Sequence, residues 1–203
     1  MKIKTAEFIK SYSKIDDFES DNLFEFAFVG RSNVGKSSLI NALTNRRKLA
    51  KTSSMPGRTR LINTFLINNE FKLVDLPGYG YAKASKSLIK EWQPLIEGYL
   101  NTSLMLKNVF ILLDSRHEPS ELDVQMINFL YARNLPFTII ATKSDKLKKS
   151  ELNLKMNALA NFIGVGLKNI IISSAEDKKG IEEILLKIEQ SLNEVKNNES
   201  LGN

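Results

Sequence analysis

Eight residues near the start of the chain, Gly30-Arg31-Ser32-Asn33-Val34-Gly35-Lys36-Ser37, stand between an apolar run at 24–29 and a helical pattern that begins with Leu39 and Ile40. A GxxxxGK[ST] spacing in that setting constrains the fold more than any other stretch. Its glycines let the backbone curl until successive N–H groups converge, and the helix behind adds the positive end of its dipole, so the segment forms a cradle for phosphate. Lys36 is expected to reach the β and γ phosphates of a nucleotide and Ser37 to ligate Mg²⁺, with Ser38 closing the contacting stretch.

Such a loop needs a sheet under it, and the rest of the chain supplies one. Short runs rich in Val, Ile and Phe alternate with helical patterns, the mark of an α/β sheet wrapped by helices on both faces. Strands are expected at 24–29, 62–67, 71–75, 109–114, 137–142 and 169–173. Only Asn68, Asn69 and Glu70 separate the second and third, which therefore form a hairpin. The others need crossovers, so the expectation is a six-stranded mixed sheet, five strands parallel and one antiparallel.

Helical stripes fit between these runs. Leu122, Met126 and Leu130 face inward from about Ser120 to Arg133, and Ser150 opens a helix with Leu152, Met156, Leu159, Ala160 and Ile163 that Gly164 ends. Ile181, Ile184, Leu185, Ile188, Leu192 and Val195 form the last stripe, and Leu88, Ile89, Trp92, Leu95 and Ile96 form the buried face of another. One domain is expected at 23–195, with residues 1–22 as an extension packed on or near it and 196–203 as a polar tail. The first twenty or so residues and that tail are the weakly ordered candidates.

Composition narrows the setting. There is no cysteine, which removes disulfide frameworks and zinc–thiolate sites, and 42% hydrophobic with 26% charged residues is ordinary for a globular chain. No apolar run approaches the length of a membrane span, and no apolar leader core stands in the first thirty residues, so the reading is a cytoplasmic protein with no membrane partner. The net charge is +6, and residues 46–60 alone hold six cations (Arg46, Arg47, Lys48, Lys51, Arg58 and Arg60) and no acid. That stretch is either a solvated basic loop or a surface for phosphates or nucleic acid.

Two more motifs name the ligand. Asp75-Leu76-Pro77-Gly78 is a DxxG at a strand end; Asp75 would hold Mg²⁺ through water, and the N–H of Gly78 would sense the γ phosphate. Thr142-Lys143-Ser144-Asp145 ends another strand as TKxD. Asp145 can accept two hydrogen bonds from the N1–H and exocyclic amine of guanine, which adenine cannot supply, and the stem of Lys143 would pack over the base. Ser173-Ser174-Ala175 is placed to offer a backbone N–H to the base oxygen. Between the first two motifs, Pro56-Gly57-Arg58-Thr59 supplies a threonine that could add its hydroxyl to Mg²⁺ and its N–H to the γ phosphate, which would make 46–60 a switch ordered by GTP. Lys36, Thr59 and Gly78 are the candidates for roles in hydrolysis.

In order, GRSNVGKSS, PGRT, DLPGYGYA and TKSD resemble the EngB (YihA/YsxC) family within the TrmE-Era-EngA-EngB group of GTPases, over about residues 5–195. The Tyr79-Gly80-Tyr81 continuation of DxxG is the most specific element. The resemblance implies a Ras-like P-loop fold, GTP hydrolysis to GDP, Mg²⁺, a monomer, and a role in assembling the large ribosomal subunit through its rRNA or proteins, with cell division depending on it. One position departs from the Ras pattern. Tyr79 stands where Ras-type enzymes carry the glutamine that orients water, so slow intrinsic hydrolysis is expected. K⁺ held near the phosphates by Asn33, as in potassium-activated relatives with Asn at this motif position, is one route to acceleration, and a group from the ribosomal particle is another.

Two other classes stay open on these residues. A P-loop kinase or ATPase would need an Arg-rich lid and would have no use for TKSD; a guanine-nucleotide-dependent interaction module with little turnover would be content with Tyr79. His117, the single histidine, is expected to cap or pack in its loop. Packing under the switch is the expected use of Tyr79 and Tyr81, with stacking on RNA bases the other.

Overall fold

The computed structural model describes residues 1–19, 21–51, 61–80 and 86–201, with side chains left undescribed at 86–93 and 195–201. Among these residues seven strands form one sheet: β1 Ala6–Tyr12, β2 Phe24–Gly30, β3 Ile62–Ile67, β4 Phe71–Asp75, β5 Leu106–Asp114, β6 Phe137–Thr142 and β7 Ile170–Ile172. Their order is β1-β3-β4-β2-β5-β6-β7. β4, β2, β5, β6 and β7 are mutually parallel, as the alternation of strands and helices implied, and β2 is buried along almost its whole length because helices cover both of its faces. β3 runs against them, joined to β4 by a turn in which Asn68 (φ 51°) and Asn69 (φ 55°) both take the left-handed conformation that a tight hairpin demands.

The expectation of six strands is corrected by β1, which lies inside the first twenty residues. It pairs antiparallel with β3, and Asn68 fastens its approach by accepting from the N–H groups of Lys4 (2.7 Å) and Thr5 (3.1 Å). The sequence hides this strand for a physical reason: it is an edge strand with a bulge between Phe8 and Lys10, and only Ala6 and Tyr12 are buried.

Among the described residues five α-helices, α1 Lys36–Thr44, α2 Lys86–Thr102, α3 Glu121–Ala132, α4 Lys149–Ile163 and α5 Ile181–Leu201, lie on the two faces. One core gathers Val29, Ile96, Tyr99, Ile111, Leu130, Ile139 and Met156 under α2, α3 and α4; the other gathers Phe28, Leu39, Ile40, Phe110, Ile140, Ile184 and Ile188 under α1 and α5. Leu95 and Ile96 are buried on α2 as expected, whereas Leu88, Ile89, Trp92 and Val195 fall outside the described side chains. Leu122 and Met126 pack partly buried beside Leu130, and Ile127 joins them. Ser120 caps α3 in a reciprocal box with Asp123. Ser150 does not open α4: Lys148 is its N-cap, without a side-chain bond, while Gly164 (φ 76°) closes it as expected. α5 runs on through Lys196 to Leu201, so the polar tail continues the helix.

Candidate functional site

Every parallel strand delivers its carboxyl end to the same edge of the sheet, where ligand crevices of open α/β folds form. Gly30 ends β2, and a Cβ there would sit 2.7 Å from the carbonyl oxygen of Leu112 on β5, so the strand can pass only without a side chain. Asn33 (φ 65°) and Gly35 (φ 104°) then turn the loop left-handed, and Gly35 is the N-cap of α1. Lys36 and Asp75, both almost wholly buried, form an ion pair at the centre of this end. Ser37, partly buried, follows Lys36 directly, and Ser38 is exposed. One carboxylate with one hydroxyl is a hard-oxygen donor set suited to Mg²⁺, which takes its remaining ligands from water and phosphates. Among the described residues no larger cluster of acids and histidines gathers.

The DxxG segment is sewn to the phosphate loop. Leu76 N–H donates to Phe28 O (3.0 Å), Tyr79 N–H to Gly30 O (3.2 Å) and Ser32 N–H to Tyr79 O (2.8 Å). Leu76 and Pro77 are buried, and a Cβ on Gly78 would meet Ser32 at 3.2 Å. Tyr79 is 1% exposed, and its hydroxyl donates to Asp123 Oδ1 (2.8 Å) in the cap of α3. Burial, and then Asp123, push the phenol well above its ordinary pKa. Tyr79 is thus a packing residue, buried away from any RNA base. Pro56, Gly57, Arg58, Thr59, Arg60 and Tyr81 lie outside the described residues.

At the base end, Thr142 Oγ1 donates to Val34 O (2.7 Å) and Lys143 Nζ to Asn33 O (2.6 Å), so the TKSD segment is bonded directly to the phosphate loop. The Lys143 backbone is left-handed (φ 59°) and enters a 3₁₀ turn, Ser144–Lys146. Ser144 N–H donates to Ser173 O (3.1 Å), which joins TKSD to Ser173, Ser174 and Ala175. The Asp145 side chain, 12% exposed, pairs with Lys146 (2.9 Å). Lys146, with help from Ser174, holds its carboxyl below the usual range. Asp145 is thereby an ionised acceptor at the mouth of the site. The Ser173 hydroxyl is buried with no hydrogen-bond partner among the described residues.

Three features here escaped the sequence reading. Gly180 (φ 77°) brings the turn after Ala175 back against β7, where a Cβ would come 2.5 Å from Ile172 O; its signal was a lone glycine before a helical stripe. Asp114 accepts from Lys143 Nζ (2.9 Å) at Oδ2 and from Arg116 through Nε (2.9 Å) and NH2 (2.8 Å). A carboxylate closing an apolar strand, as Asp75 does, was the signal for it. Asp123, the third, takes Tyr79 and Ser120 together. A cavity of about 200 Å³ beside the phosphate loop is lined by Arg31, Asn33, Asp114, Arg116 and the exposed His117. In the basic stretch, Arg46, Arg47, Lys48 and Lys51 are exposed, and the buried Asn41 pins their loop by bonds to Ala50 O (2.9 Å) and from Ala50 N–H (2.8 Å).

Residues 25–143 match the model of a family described as "50S ribosome-binding GTPase". A protein of Thermoanaerobacter pseudethanolicus, described as "Probable GTP-binding protein EngB", is 50% identical over 185 residues, 91% of this chain and 96% of its own. One of Clostridium acetobutylicum with the same description is 57% identical over 151 residues, 74% and 76% of the two chains. Among solved structures, "a probable GTP-binding protein engB" superposes with a TM-score of 0.70 at 28% identity, over 84% of this chain and 99% of that one. Era of Aquifex aeolicus, solved with GDP and AlF4⁻, shares the fold: TM-score 0.66 at 23% identity, over 83% and 56% of the two chains.

Proposed function

The chain belongs to the EngB family of GTP-binding proteins, and on that premise we propose that it hydrolyses GTP to GDP and phosphate as a conformational switch that assists assembly of the large ribosomal subunit and, through it, cell growth and division. The observation that carries the nucleotide part is the pair of hydrogen bonds between the two ends of the site, Thr142 to Val34 O and Lys143 to Asn33 O, which sets a guanine-reading carboxylate at a fixed distance from the phosphate cradle. The ribosomal part rests on the family's description as a 50S ribosome-binding GTPase.

The residues take roles accordingly. Gly30, Arg31, Ser32, Asn33, Val34 and Gly35 form the cradle around the phosphates, its curve held by the Ser32 N–H on Tyr79 O and the Val34 N–H on Arg31 O, and Lys36 exchanges Asp75 for the β and γ oxygens. Ser37, Asp75 (through water) and Thr59 would hold Mg²⁺, which when bound would offset the negative charge of the β and γ phosphates. Gly78 N–H senses the γ phosphate, Asp145 accepts from guanine, and the Ala175 segment donates to the base oxygen. Residues 23–195 act as the GTPase domain of a cytoplasmic monomer, with 1–22 packed on it through β1 and 196–203 as a polar extension. Among the described residues no helix is long and apolar enough to cross a membrane.

Hydrolysis is slow in this reading because Tyr79 is tied to Asp123 and orients no water. The same observation favours a second reading, a nucleotide-dependent interaction module with little turnover. Large ribosomal subunits should raise turnover if the protein is a switch enzyme, and leave it at background if it is a module. Comparing rates in K⁺ and Na⁺ buffers tests the contribution of Asn33; equal rates would remove it. The ligand itself is tested by titrating fluorescent GDP, GTP and ATP against the parent and Asp145→Asn. Guanine selectivity that passes to xanthine in the variant supports the reading, and equal binding of ATP by the parent overturns it.

A further inference from the structure

We infer that Asp114 is a positioning residue for the guanine nucleotide: clamped by Arg116, its carboxylate holds the Lys143 side chain across the base end of the phosphate loop, so that the two halves of the site are aligned as one unit. The inference rests on the reading of residues 142–145 as the guanine-reading segment and adds to it a residue that touches the nucleotide only through another.

The geometry is specific. Asp114 closes β5 directly opposite Thr142 on β6, one residue before Lys143. Lys143 Nζ is held between Asn33 O (2.6 Å) and Asp114 Oδ2 (2.9 Å). Its stem passes over the loop, with Cε 3.9 Å from where a Cβ on Gly35 would stand. Asp114 is in turn fixed on both oxygens by Arg116: Nε and the backbone N–H reach Oδ1 (2.9 and 3.1 Å), and NH2 reaches Oδ2 (2.8 Å). Such a fork fixes the carboxylate plane as well as its place. Lys155 of α4 then holds the Arg116 carbonyl (2.6 Å).

The charge matters as much as the geometry. Burial alone would raise the Asp114 carboxyl, but the bonds from Arg116 and Lys143 hold it far below the usual carboxylate range, so it stays an anion. A lysine held by a carbonyl alone, beside a site that receives several phosphate charges, would be drawn off the base toward them. A second partner that carries a negative charge, Asp114 Oδ2 at 2.9 Å, counters that pull. Asp114 therefore keeps Lys143 where its stem can cover a base.

The test is a double-mutant cycle read by the dissociation rate of fluorescent GDP, with nucleotide-free thermal unfolding alongside. Asp114→Ala should speed release about tenfold with association little changed, Asp114→Asn less, and Arg116→Gln less again. In a Lys143→Ala background each of these effects should vanish, a result that a merely structural role would not give. The inference is overturned if Asp114→Ala leaves release unchanged, or if its effect persists undiminished without Lys143. Arg116, whose side chain is 39% exposed, gives a variant that folds should Asp114→Ala fail to. Loss of Lys143 with no effect on guanine nucleotides would bring down the reading of 142–145 itself, an outcome distinct from failure at Asp114 alone.

Discussion

Lys36 and Asp75 at the phosphate end lie almost wholly inside the protein and neutralise each other, whereas Asp145 and Lys143 at the base end are partly buried, each paired with a neighbour that solvent also reaches. The phosphate end is built mostly from one continuous stretch, 30–37, stiffened by backbone bonds to the DxxG segment. The base end is assembled from the ends of β5, β6 and β7 and held by side-chain bonds spanning up to 110 residues of sequence. Charges buried as a matched pair make the first region a determinant of stability as well as binding. Partly exposed charges that solvent screens give the second little hold on the fold, and on the proposed reading make it a determinant of selectivity.

The largest effect should come from breaking the matched pair. Lys36→Ala would leave the Asp75 carboxylate, 2% exposed, without its cation. Losing one partner of a buried pair costs about 3–5 kcal/mol, read from the denaturant midpoint of the nucleotide-free protein. Joint replacement, Lys36→Met with Asp75→Leu, should recover much of that stability while abolishing nucleotide binding. If Lys36→Ala alone left the midpoint in place, the contrast between the two ends would fail at its first step.

Next comes the one position at the base end where fold and selectivity are not separate. Gly180→Ala must both adopt φ 77° and move a Cβ away from Ile172 O at 2.5 Å, so about 2–3 kcal/mol is expected, with a weaker guanine site because the Ser174 turn shifts. Gly164→Ala is the control. Its φ of 76° is as unusual, but nothing lies within 4 Å, and only the conformational cost of about 1 kcal/mol remains. Equal losses for the two would show that strain, and not the close approach to β7, decides the position.

The same contrast explains what could be read from the sequence. The phosphate end was legible because its chemistry is local: spacing alone placed Gly30, Gly35, Lys36 and the DxxG carboxylate, and the parallel strands followed from their apolar runs. Asp145 was legible for the same reason. Asp114 and Gly180 were not, since what makes each matter is a contact across strands, with Lys143 in one case and Ile172 in the other. β1 was missed because an exposed edge strand with a bulge loses the alternation that marks a strand.

Tyr79→Phe sharpens the comparison from inside the phosphate end. The ring stays buried and Asp123 keeps Ser120, so the loss should be about 1 kcal/mol in the unfolding midpoint. GTP turnover should not fall, because the hydroxyl points at α3 and not at the nucleotide. A large drop in turnover with stability intact would place Tyr79 among the reacting groups after all.

The smallest effect tests whether matching matters beyond the site. Glu25, at the opposite end of the strand that carries the phosphate loop, is fully buried; Oε2 accepts from Tyr99 (2.9 Å) and Ser103 (2.6 Å), but Oε1 has no partner among the described residues. Burial, outweighing those two bonds, raises its pKa. A carboxyl whose folded pKa exceeds its unfolded value binds its proton more tightly in the native state, so its contribution is present below the unfolded pKa and is lost as pH rises through the folded one. Unfolding midpoints measured from about pH 4 to pH 8 should therefore fall relative to those of Glu25→Gln, with the gap widest at the alkaline end. Parallel profiles would mean that Lys72, the register partner of Glu25 on β4 and itself paired with Asp21 (2.7 Å), already matches the charge as Lys36 matches Asp75, and that the phosphate end is not special in pairing its buried acid.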